Sequence, residues 1–117
     1  MKTTKEYLDQ LFERLADAAQ GLLLLDYDGT LAPFRPKRDE ATPYPGIPAI
    51  LKEIQNSPRT RMVIISGRAV DDIIPLLGLE KLPEIWGSHG WERLGWDGSR
   101  ERFPVKPEFE KAVKAAQ

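Results

Sequence analysis

The stretch that most narrows the fold runs from residue 22 to 31, Leu-Leu-Leu-Leu-Asp-Tyr-Asp-Gly-Thr-Leu. Four consecutive leucines closed off by turn residues are the pattern of a short buried strand, the kind found in parallel sheets. Open α/β sheets bind their ligands beyond the carboxyl ends of such strands. This one ends in two carboxylates, Asp26 and Asp28. Extended geometry carried through Asp28 would set both on one face, close enough to share a metal ion or a phosphate. Gly29 permits the sharp turn that follows, where backbone N–H groups can face an anion.

The flanking sequence predicts the layers around that strand. Thr3 and Glu6 match a capping box, and Leu8, Leu11, Phe12 and Leu15 recur at helical spacing until Gly21 stops the helix. Residues 32–46 hold Pro33, Pro36, Pro43, Pro45 and Gly46, which predicts an irregular loop beyond the carboxylates. A second helix is expected from about Ile47, with Ile47, Ile50, Leu51 and Ile54 on one side and Pro58 at its end. Residues 61–65 read as a second buried strand running into Ser66-Gly67-Arg68, and a short helix should start at Asp71 or Asp72. Residues 84–87 read as a third strand ending in Ser88-His89-Gly90, and residues 91–103 as a hairpin turning at Asp97-Gly98. Pro107 should open a last helix carrying Phe109 and Val113. Strands alternating with helices imply an α/β fold, a parallel sheet built by right-handed crossovers.

Composition removes several functional classes. With 117 residues the chain is one domain at most, and 17 basic against 18 acidic residues leave a net charge of −1. No strong field selects nucleic acid or an anionic membrane. The absence of cysteine excludes disulfides and thiol chemistry and fits a reducing cytoplasm. The first twenty residues are charged and amphipathic rather than a signal peptide, and no apolar run is long enough to span a bilayer. A soluble, cytoplasmic protein is expected.

Two carboxylates at a strand end suit phosphoryl transfer. One can attack phosphorus, and the other can protonate the leaving alkoxide and later activate water, provided its environment favours the protonated form. A carboxylate site with room for phosphate and water also suits Mg2+. Here the sequence resembles the haloacid dehalogenase superfamily, whose first signature is Asp-x-Asp-x-Thr at the end of the first core strand. The resemblance makes Asp26 the nucleophile and Asp28 the general acid/base. It implies Mg2+ held by the Asp26 carboxylate and the Asp28 backbone carbonyl. Ser66, after Val63-Ile64-Ile65, matches the second signature, which binds the transferring phosphoryl group together with Gly67.

Within that superfamily the chain is similar to trehalose-6-phosphate phosphatases. The similarity lies in Leu25-Asp26-Tyr27-Asp28-Gly29-Thr30-Leu31-Ala32-Pro33, Ile65-Ser66-Gly67-Arg68 and Gly87-Ser88-His89-Gly90, and it covers most of residues 21–95. It implies a three-layer Rossmann-like core with a β-hairpin, a sugar-phosphate substrate, and substrate contacts from Arg68 and His89. The residues alone leave other roles open. Arg68 could grip a sugar hydroxyl or phosphate oxygen, or pair with Asp71 or Asp72 at the helix start. His89 could be a hydrogen-bonded turn residue, and Trp86, Trp91 and Trp96 read first as hairpin and core packing.

The superfamily also uses a Lys on the phosphoryl group and a downstream acidic pair at the metal. Lys106, Lys111 and Lys114, with Glu108 and Glu110, follow a helical pattern and match neither. The resemblance therefore assigns residues 1–104 to the first part of a core and residues 105–117 to a helix opening a cap domain. It also implies an open apolar edge along the first strand, through which the chain could form a homo-oligomer. Three functions stand side by side: a trehalose-6-phosphate phosphatase; a phosphatase for sucrose-phosphate or mannosyl-phosphoglycerate; and a catalytically weak or inactive module that binds a phosphosugar or a partner.

Overall fold

The structure, a computed structural model, describes residues 1–104 and Ala115. The helix expected from Pro107, with Lys106, Lys111, Lys114, Glu108 and Glu110, lies outside the described residues. Helix α1 spans Thr4–Asp17, strand β1 Gly21–Asp26, helix α2 Ile47–Gln55, strand β2 Thr60–Ile65 and helix α3 Val70–Leu77. Strands β3 (Glu84–Gly87), β4 (Glu92–Leu94) and β5 (Arg100–Arg102) follow. They form one sheet in the order β1-β2-β3-β4-β5, with β1 to β3 parallel and the β4–β5 hairpin antiparallel at the far edge.

Local signals explain most boundaries. Thr3 caps α1, its hydroxyl accepting from the Glu6 N–H at 3.2 Å. Arg59, just ahead of β2, ties the end of α1 to the sheet by donating to the Ala16 and Ala18 carbonyls. Helix α3 starts at Val70, one residue before the earliest start expected, behind Ala69 as N-cap. Gly78 ends α3 in the left-handed conformation, as C-terminal glycines commonly do.

Alternation along the strands sends side chains to two different faces. Met62, Ile64, Ile85 and Leu94 point to the face on which α2 and α3 pack, and with Leu51, Ile73 and Leu77 they make the core. Burying each such side chain contributes about 1.5–3 kcal/mol. On the opposite face Leu22 and Leu24 are 58% and 55% exposed, and no residue of α1 is buried. No helix among the described residues is long and apolar enough to cross a membrane.

Candidate active site

The parallel strands end together, and their ends hold the candidate residues. β1 stops at Asp26, so the extended run does not continue as strand to Asp28, which sits in an isolated bridge to Ala32 beyond the turn at Tyr27. Gly29, at φ +81°, completes that turn beneath the ring of Phe34. The Asp26 carboxylate accepts from the Thr30 hydroxyl at 3.3 Å. It also opens onto a cleft of about 950 Å³, within the range of small-ligand sites, which Ser66, Gly67 and His89 line as well.

The Asp28 carboxylate is held differently. The Arg68 guanidinium grips it through Nε at 3.2 and 2.9 Å and Nη2 at 2.8 Å. Arg68 is buried, and its hydrogen bond to Asp28 is the main reason its own pKa is raised. The structure puts Arg68 on Asp28, and the Asp72 charge adds to the rise in its pKa, while Asp71 pairs with Arg100 at 2.8 Å. Sequence spacing could not reveal a contact forty residues apart.

Between the two aspartates, Tyr27 turns inward and is fully buried, donating to the Ala41 carbonyl at 2.5 Å. That bond anchors the proline-rich loop to the strand end. Burial pushes the phenol up to about 12; the Arg68 charge opposes the rise and the Asp28 charge adds to it.

Ser66 and His89 are laced together by backbone. The His89 N–H donates to the Ser66 carbonyl at 3.2 Å, and the Ser88 N–H to the Arg68 carbonyl at 2.7 Å. Gly67 lies against the imidazole: a Cβ there would sit 2.8 Å from His89 Nε2. Any larger residue would push His89 away. Ser88 and His89 both adopt positive φ, 49° and 55°. Such conformations cost non-glycine residues about 1–2 kcal/mol each and gather at functional sites.

Other residues of this face escaped the sequence reading. Glu84, almost fully buried, accepts from Arg93 Nε at 2.7 Å and from Arg61 Nε at 2.8 Å, and Arg93 Nη1 reaches Glu101 at 3.1 Å. Burial pushes the Glu84 carboxyl up, but the bonds from Arg93 and Arg61 outweigh it and hold it below the usual range. This ladder crosses β2 to β5 on the face that carries the cleft. Period-two placement of Arg61, Glu84, Arg93 and Glu101 was its only sequence signal. Trp86 lines the cleft and stacks on Phe103 at 5.6 Å, whereas Trp91 and Trp96 are exposed and take no part in the core.

No group of three His, Cys, Asp or Glu side chains able to hold a metal occurs among the described residues. The oxygen donors at the end of β1 nonetheless fit a hard cation of the Mg2+ kind. Such ions are commonly bound by one or two carboxylates, with substrate phosphate and water completing the shell.

Three parallel strands whose carboxyl ends hold the site, extended by an antiparallel hairpin, are an arrangement shared with haloacid dehalogenase-like hydrolases. One from B. subtilis superposes with a TM-score of 0.60 at 17% identity, over 81% of this chain and 32% of that one. The C-terminal domain of trehalose-6-phosphate phosphatase from C. albicans superposes with a TM-score of 0.78 at 22% identity, over 92% of this chain and 38% of that one. The chain belongs to the trehalose-phosphatase family, whose model matches residues 24–115. It is 38% identical over 98 residues to a bifunctional trehalose-6-phosphate synthase/phosphatase of Thermoproteus tenax, covering 75% of this chain and 13% of the relative. It is 32% identical over 108 residues to a trehalose-phosphate phosphatase of Mycobacterium ulcerans, covering 80% and 26%. The chain thus spans about a quarter or less of the length of these two relatives.

Proposed function

We propose that this chain carries the phosphoryl-transfer end of a Mg2+-dependent trehalose-6-phosphate phosphatase acting in the cytoplasm. One observation carries the reading: in a chain of the trehalose-phosphatase family, Asp26, Ser66, Gly67 and His89 converge on a single cleft. In this reading residues 1–104 are the first part of the core and residues 105–117 open a cap.

An Asp26 oxygen attacks phosphorus, the bond from phosphorus to the sugar oxygen breaks, and Asp28 delivers its proton to the leaving alkoxide. Water then attacks the aspartyl-phosphate, Asp28 takes its proton, and inorganic phosphate leaves with Asp26 restored. Ser66 and Gly67 hold the phosphoryl oxygens, and His89 contacts the substrate above them. Arg68 grips Asp28, so the proton steps require that carboxylate to turn into the cleft. Mg2+, held by the Asp26 carboxylate and the Asp28 carbonyl, would neutralise charge on the phosphoryl group.

Purified chain should release phosphate from trehalose-6-phosphate with Mg2+, and Asp26→Asn should abolish the release. Release that survives Asp26→Asn overturns the assignment of the nucleophile. In a panel with sucrose-phosphate and mannosyl-phosphoglycerate, trehalose-6-phosphate should be preferred; preference for either of the others reassigns the sugar.

The position of β1 at the edge of the sheet among the described residues favours a second reading. Here the chain is a weak or inactive phosphatase-like module that binds a phosphosugar, or a second copy of itself through β1. Residues 21–25 carry no charge, proline or bulge to discourage edge pairing. Antiparallel pairing centred on Leu23 would set Leu22 of each copy beside Leu24 of the other, covering both. Sedimentation should then give a concentration-dependent dimer that Leu24→Gln dissociates. A monomer at every concentration contradicts the pairing.

A further inference from the structure

Two adjacent non-glycine residues in the left-handed region need a reason to stay there, and the first of them, Ser88, has a side-chain partner that supplies one. Glu92 lies on β4 opposite Gly87, on the face where α3 packs, and its side chain is only 12% exposed. Its Oε1 accepts from the Ser88 hydroxyl at 2.9 Å and from the Val70 N–H at 2.6 Å. Its Oε2 lies 3.7 Å from Arg102 Nη2.

Val70 is the first residue of α3, and Ala69, its N-cap, has no side chain that could accept a hydrogen bond. Helix N-termini leave N–H groups unpaired and favour negative charge, so an acceptor must come from elsewhere. One Glu92 oxygen therefore does two things. It caps the helix that follows the Ser66-Gly67-Arg68 turn, and it pins the turn that carries His89. The backbone bonds from Ser88 to Arg68 and from His89 to Ser66 complete the seam. Glu92 itself does not line the cleft.

We propose that Glu92 is a positioning residue for this site: it holds Ser88 and His89 at positive φ and thereby sets the imidazole over Gly67, beside Ser66. The proposal rests on reading the cleft as a phosphate site, but its first measurement does not. His89 is the only histidine in the chain, so its ring gives one unambiguous NMR signal. The backbone sign of φ at residues 88 and 89 is read from the one-bond Cα–Hα coupling, which differs between positive and negative φ. Titration with inorganic phosphate, followed by the ring signal, gives the affinity.

Glu92→Ala should abolish the positive-φ signature at both residues and weaken phosphate binding about tenfold, the loss expected for one charge-assisted contact. Glu92→Gln keeps the Oε1 acceptor and should restore both readouts. Should Glu92→Ala fail to fold by circular dichroism, Ser88→Ala serves instead. It removes one of the two bonds and spares the helix cap, and it should release His89 in the same way. Retention of positive φ and of phosphate affinity in whichever alanine variant is measured overturns the proposal. A parent chain that binds no phosphate counts against the phosphate-site reading alone, and the φ measurement still decides the role of Glu92.

Discussion

The two faces of the sheet are built from alternate residues of the same strands, yet they do opposite work. Ile85 is fully buried under α3, while its neighbour Glu84 points the other way into a ladder of arginines and carboxylates. Ile64 belongs to the core, while Ile65 is 39% exposed beside the cleft. The α2/α3 face holds the fold together by apolar burial. The other face carries Asp26 at one end, bare leucines along β1 and a charged ladder across β2 to β5. The period of two thus sets apolar burial and the cleft on opposite faces, with Glu84 on one face and Glu92 on the other tying the two together.

The largest loss of stability is expected in the core. Leu51→Ala should cost about 2–5 kcal/mol in urea denaturation, because its side chain is buried against β2 by α2. Leu24→Gln, on the bare face, should change the stability of the monomer by less than about 1 kcal/mol. Equal losses would mean that the bare face is covered in solution.

Glu84→Gln should follow, at about 1–3 kcal/mol, because Arg61 and Arg93 lose a charged acceptor; Arg61 is half exposed, which keeps the figure below that of a fully buried pair. The depressed carboxyl gives the effect a pH signature. Its stabilisation is present above the unfolded value of about 4.3 and fades as pH falls through the lower folded value. The Gln variant should lose that part of the acid dependence.

Tyr27→Phe should cost about 1 kcal/mol for the bond to the Ala41 carbonyl. The parent should also show it spectroscopically. The folded chain keeps the phenolic proton up to about 12, whereas the unfolded chain releases it near about 10. The contribution is therefore intact below about pH 10 and lost as pH climbs toward 12. Of three tyrosines, one should titrate late by ultraviolet absorbance, and the Phe variant should lack that step.

Much of the fold was legible because it rests on local signals. The leucine run made β1, Thr3 capped α1, and Asp97-Gly98 turned the hairpin between β4 and β5. The resemblance assigned Asp26, Asp28, Ser66, Gly67, Arg68 and His89; Asp26, Ser66, Gly67 and His89 line one cleft, whereas Asp28 and Arg68 do not line it and pair with each other. The illegible parts depend on contacts between distant segments. Arg68 meets Asp28 only because β1 and β2 run parallel in register, and Glu92 reaches Val70 only because the hairpin folds back beside β3. The left-handed pair at Ser88 and His89 gave little signal, since neither residue is glycine and only histidine is enriched in that region.

We propose Asp26 as the nucleophile of a phosphoryl-transfer site at the end of the open face. This role is tested most directly by incubating the chain with trehalose-6-phosphate and Mg2+, quenching in acid, reducing any acyl phosphate with borohydride and mapping the peptides by mass spectrometry. Modification is expected at Asp26, dependent on substrate and absent in Asp26→Asn. Modification at Asp28, or at any other carboxylate, would contradict it.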